Sequence, residues 1–107
     1  MKALNTMKFT TNMTRELAKY MTQIKAAETY DDAKATAYQM IGYINCGVTF
    51  MNTMICKENN DFTAEFDEVL TEWMAGVYQS LADKAIETKQ NNEVIWKLLQ
   101  KRDEYAA

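Results

Sequence analysis

Glu65, Glu68 and Glu72 follow the spacing i, i+3, i+7, and Asp61 stands one turn earlier, so on a helix these four carboxylates form one strip. Carboxylates arranged this way can exchange protons, hold metal ions or meet a cationic surface. Paired metals in helical bundles need carboxylates together with Glu-x-x-His elements, and the chain has no histidine. The same absence removes the commonest general base, the usual nucleophile triads and the familiar zinc and haem ligand sets. The expectation is a protein that is not an enzyme, with no catalytic, cofactor-binding or metal-binding residues.

The third chemistry remains. From Glu58 to Asp83 the acidic residues are Glu58, Asp61, Glu65, Asp67, Glu68, Glu72 and Asp83, and no lysine or arginine intervenes. Such a strip can imitate the phosphate spacing of a nucleic acid and steer association with a basic groove. Its plainer role is to place negative charge near a helix start, where the macrodipole favours it.

Two further groups invite chemistry. Cys46 and Cys56 fall ten residues apart in one expected helix, about 15 Å along its axis. A disulfide needs Cα atoms within about 7 Å, so reduced thiols and a cytoplasmic setting are expected, and neither thiol has a cation placed by local spacing to activate it. Residues 1 to 25 carry Lys2, Lys8, Arg15, Lys19 and Lys25 against Glu16 alone. Four or five phosphates would be held only weakly and with steep salt dependence, so no direct nucleic-acid binding is expected. The basic strip is expected instead to pair with the acidic helix, within the fold or across a dimer. The overall balance of 12 basic against 15 acidic residues agrees.

The elements that must position these groups read as helices. The chain of 107 residues has no proline, three glycines and eight methionines, which leaves few breakers and many helix-tolerant side chains. Met13, Leu17, Tyr20, Met21, Ile24 and Ala27 recur at steps of three and four, giving a first helix over about 12–27 with Thr11 or Asn12 as cap. Residues 1–10 have no apolar run that would make a secretory signal and are expected to be a flexible arm. In "ETYDD", Thr29 and Asp32 have capping-box spacing and open a second helix over about 30–56. After "KENNDF" a third helix over about 62–88 carries the stripe Phe62, Phe66, Val69, Leu70, Trp73, Val77, Leu81 and Ala85. The polar run "ETKQNNEV" suggests a break near Asn91 and Asn92, then a fourth helix over about 92–105 with Val94, Ile95, Leu98, Leu99 and Tyr105. Without that break, 62–105 would be one helix of about 66 Å.

The second helix holds the most unusual stretch, "ATAYQMIGYINCGVTFMNTMIC", whose 22 residues include no charge. Its length of about 33 Å matches the hydrocarbon core of a bilayer. Composition argues otherwise: the gain from Ile41, Ile44, Val48, Phe50 and Ile55, about 1.5–3 kcal/mol, is offset by Gln39, Asn45 and Asn52 at about 1–3 kcal/mol each. No membrane association is expected. At about 100° per residue, Ala33, Ala37, Met40, Ile41, Ile44, Val48, Met51 and Ile55 share a core face, while Tyr43, Gly47, Phe50 and Met54 form a second apolar seam. That seam is either covered by neighbouring helices or a self-interface.

The sequence therefore predicts a single all-α domain, a compact bundle of three to four helices. Its expected function is binding: a phage- or mobile-element-encoded inhibitor or modulator that docks Asp61, Glu65, Glu68 and Glu72 on a basic, nucleic-acid-handling host protein. The alternative is a homodimeric structural or assembly subunit joined through Tyr43, Gly47, Phe50 and Met54.

Overall fold

The computed structural model describes the backbone of residues 2–50 and 60–106 and the side chains of 11–49 and 68–106. Four helices follow one another: α1 (Lys2–Ala26), α2 (Tyr30–Phe50), α3 (Asn60–Glu87) and α4 (Asn92–Ala106). Among the described residues there is no strand. The chain is an all-α bundle in which α1, α2 and α3 pack against one another and α4 lies chiefly on α3.

Among the described residues the core is built by the stripes that the spacing predicts; Met51, Ile55, Phe62 and Phe66 of those stripes, and the end expected for the second helix near 56, lie outside the described residues. Met13, Leu17 and Ile24 of α1, Ala33, Ala37, Met40 and Ile44 of α2, and Leu70, Met74, Val77 and Leu81 of α3 are buried together. Two details differ from expectation. Val69 is 39% exposed, and Met74 takes the interior position in its place; Val69 lies at the rim of the stripe, a quarter-turn from Leu70. In α1 the helix runs through Thr11 and Asn12 and starts at Lys2, so residues 2–10, expected as an arm, are helical backbone. Threonine and asparagine cost only about 0.7 kcal/mol each inside a helix, too little to stop one.

Local chemistry explains the helix ends. Thr29 caps α2: its Oγ1 accepts the Asp32 N–H at 3.1 Å and its carbonyl accepts the Ala33 N–H at 3.1 Å, and Asp31 and Asp32 sit at the positive end of the macrodipole. The expected break between α3 and α4 is present. Gln90 N–H reaches the Ala85 carbonyl at 2.9 Å and Lys89 N–H the Ile86 carbonyl at 3.1 Å, the paired bonds of a Schellman turn. Lys89 occupies the left-handed position with φ 60°, where glycine is the usual residue. Asn91 then opens α4, its Oδ1 accepting the Val94 N–H at 3.0 Å. Thermal or urea unfolding should report both features: Asn91→Ala lowers stability by about 1 kcal/mol, and Lys89→Gly raises it by up to about 1 kcal/mol.

Among the described residues one charged side chain enters the interior. Lys84 is 5% exposed, and its Nζ donates to the carbonyl of Lys25 at 2.9 Å and pairs with Glu87 at 3.2 Å. Lys25 lies in the last turn of α1, so α3 supplies a cation to the negative end of α1 and ties the two helices at their C-termini.

Candidate functional site

α3 presents Glu68 and Glu72 away from the core. Leu70, Met74, Val77 and Leu81 point inward, and Glu68 and Glu72, half a turn round the helix, are exposed. Among the described residues neither glutamate forms an ion pair. Asp61 and Glu65 belong to the first turns of α3, at helical spacing from Glu68 and Glu72, while their side chains lie outside those described.

Among the described residues the basic strip of α1 forms no ion pair with this face. Arg15 and Lys19 are exposed, and Lys19 pairs with Glu16 of its own helix at 3.0 Å. Among the described residues no ion pair joins α1 to α3; the side chains of Lys2, Lys8, Asp61, Glu65 and Asp67, through which the expected pairing could also run, lie outside those described. The reason is directional: Glu68 and Glu72 leave α3 on the side opposite the one that packs on α1 and α2.

The second apolar seam of α2 is partly covered within the chain. Tyr43 is half-buried, its ring centroid 6.0 Å from that of Tyr20 of α1, and Gly47 is buried. The side chain of Phe50 and the whole of Met54 lie outside the described residues. Cys46 is free and exposed on the far side of α2, and Cys56 also lies outside the described residues.

At the end of α4, the rings of Tyr78 and Tyr105 stack at 5.9 Å with planes 9° apart. Arg102 Nη1 donates to Gln79 Oε1 at 2.5 Å, and Gln79 Nε2 donates to Asp83 Oδ1 at 2.9 Å. A small groove beside Tyr105 is floored by Ile44, Leu70 and Met74, all nearly sealed from solvent. Its exposed apolar area is too small for a ligand to gain much by entering.

Three tyrosines are held above the ordinary phenol value of 10.0, chiefly by burial. Tyr30 is raised further by Tyr38 and Asp31, Tyr43 by Glu16 and Tyr20, and Tyr78 by Tyr105, with Lys101 opposing. The folded chain therefore keeps these phenol protons more tightly than the unfolded chain. Their contribution to stability is complete below pH 10 and is lost as pH rises through the raised folded-state values. Denaturant titrations at pH 9 and pH 11 should show a falling midpoint, with Tyr78→Phe making the fall shallower.

Sequence reasoning passed over two residues. Lys84 stands seven positions after Val77, on the buried stripe itself, and that phase marks it as a cation with an internal partner. Trp96, 67% exposed, lies on the side of α4 away from Leu98 and Tyr105. Among the described residues no group of histidine, cysteine, aspartate and glutamate side chains could hold a metal ion, and no helix is long and apolar enough to cross a membrane.

No family model matches the chain, and no curated protein and no solved structure resembles it significantly.

Proposed function

We propose that this chain is a non-enzymatic binding protein that works in the cytoplasm and docks the acidic face of α3 on a basic, nucleic-acid-handling protein. It would act as the kind of inhibitor or modulator that a phage or other mobile element directs at its host. The observation that carries this reading is the pair of exposed carboxylates, Glu68 and Glu72, without an ion-pair partner among the described residues. A surface carboxylate already matched by an intramolecular lysine has less to offer a partner. One that is unmatched raises the local negative potential and steers a cationic partner toward it. The helix supplies rigidity as well, because Glu68 and Glu72 stand one turn apart on an element whose other side is locked into the core.

Affinity capture tests the reading. With the immobilised chain as bait, a basic nucleic-acid-binding protein should be retained at low ionic strength, released as salt rises, and displaced by its own nucleic acid. The variant Glu65→Lys, Glu68→Lys, Glu72→Lys should lose it. Retention that is indifferent to both salt and charge reversal would refute the acidic-face mechanism.

A further inference from the structure

α4 is attached more lightly than α1, α2 and α3, each of which contributes buried residues to the core. It contains none, and half-buried side chains such as Leu98 and Tyr105 hold it against α3. Near its end, the ring centroids of Tyr78 and Tyr105 lie 5.9 Å apart with planes 9° from parallel. Parallel rings at that separation are offset, so their edges come closer than their centroids. Those edges carry the Cε carbons ortho to each hydroxyl, the positions at which an oxidised phenol forms carbon–carbon bonds. Both rings are half-buried, so a diffusible oxidant reaches them. Tyr105 is the penultimate residue of α4, and a helix held this lightly lets its ring slide the remaining distance.

The other described ring pair lacks these conditions. Tyr20 and Tyr43 are 6.0 Å apart but tilted by 49°, so their edges do not run side by side. Their helices are anchored by Leu17, Ile24, Met40 and Ile44, each at most 1% exposed, and close packing there leaves neither ring room to slide.

We infer that Tyr78 and Tyr105 form an oxidative crosslinking site, at which hydrogen peroxide acting through a one-electron catalyst such as a haem peroxidase joins α3 to α4 as dityrosine. Each phenol gives up one electron and its hydroxyl proton. The two phenoxyl radicals then join Cε to Cε, and the hydrogens on those carbons move to the oxygens to restore both phenols. The peroxide takes up the two electrons and two protons and leaves as two molecules of water. Radicals held in contact combine as an intramolecular pair, far faster than radicals that must meet by diffusion. The link makes the attachment of α4 covalent and restricts the unfolded chain between Tyr78 and Tyr105.

Treatment of the full chain, dilute and folded, with peroxidase and hydrogen peroxide tests this. After denaturation and tryptic digestion, the segment 58–84, which contains Tyr78, should be found joined to 103–107, which contains Tyr105, at a mass lower than their sum by two hydrogen atoms. The undigested product should show the blue fluorescence of dityrosine, run as a single chain on a reducing denaturing gel, and unfold at a higher urea concentration than the untreated chain. Tyr78→Phe and Tyr105→Phe, which keep the rings and so the packing, should each lose the joined segments and most of the fluorescence, while Tyr43→Phe keeps both. Oxidation of the chain already unfolded in urea should give little of the joined product, because nothing then holds the two rings together. Three results would each overturn the inference: a parent chain in which 58–84 and 103–107 are not joined, a link found only between two chains, or the same yield from folded and unfolded protein.

Discussion

Lys84→Ala is expected to lower the unfolding free energy by about 2–4 kcal/mol, far more than other lysine-to-alanine changes in this chain. The expectation has two parts. Lys84 Nζ is the donor that satisfies the Lys25 carbonyl at 2.9 Å, and a charge-assisted bond of this kind is worth about 1.5–3 kcal/mol. The four-carbon stem is packed as well, since the side chain is only 6% exposed, so alanine leaves a gap where the stem lay. Lys84→Met separates the parts, because methionine keeps most of the stem and loses the donor. The Glu87 pair contributes little, since that carboxylate is 70% exposed. Urea denaturation of both variants measures the difference. Equal stability of Lys84→Ala and the parent would mean that the end of α1 does not depend on α3.

The second large effect is at Ile44. Its side chain is 1% exposed in the centre of the bundle, on the α2 stripe that continues Ala33, Ala37 and Met40. Ile44→Ala should cost about 2–5 kcal/mol, the transfer term plus the cavity left among close-packed neighbours. For a domain of this size the whole stability is about 5–15 kcal/mol, so the melting temperature should fall by on the order of 10–20 °C in a thermal scan. Asn45→Ala, one residue on but facing solvent, should change it by less than about 0.5 kcal/mol. The contrast tests whether the uncharged stretch is a core helix with one wet side. Comparable losses at both positions would contradict that.

Most of the fold could be read from phase and capping. Met13, Leu17 and Ile24 on α1, and Met40 and Ile44 on α2, recur at helical spacing and are buried together. Thr29 with Asp32 marks a helix start by spacing, and the structure shows its Thr29 Oγ1 bond to the Asp32 N–H; the break expected near Asn91 and Asn92 is present, with Asn91 as the cap. Features decided by contacts between distant segments were not legible. Whether Tyr43 faces a partner or its own chain depends on Tyr20, twenty-three residues earlier. The turn before α4 uses Lys89 where glycine would have announced it. The start of α1 at Lys2 was hidden because Thr10, Thr11 and Asn12 suit a cap and an exposed helical turn about equally well.

The candidate site divides in the same way. Opposite phase to Leu70 and Val77 was enough to place Glu68 and Glu72 toward solvent, where they are. Pairing could not be read from charge totals. The five cations of α1 offset much of the acidic segment on paper, yet Lys19 is satisfied by Glu16 three residues away, and no described ion pair crosses to α3. A local partner one helical turn away costs less ordering than one on another element.

Retention of a basic target as a function of salt, compared between the parent chain and the Glu65→Lys, Glu68→Lys, Glu72→Lys variant, tests the central claim most directly. The account predicts that the parent holds its target at about 50 mM salt and releases it well below 1 M, as screening shortens the reach of exposed charges, and that the variant fails to hold it at any salt while keeping the parent's helical content. A variant that folds normally and binds the same target with the same salt profile would show that recognition lies elsewhere on the molecule.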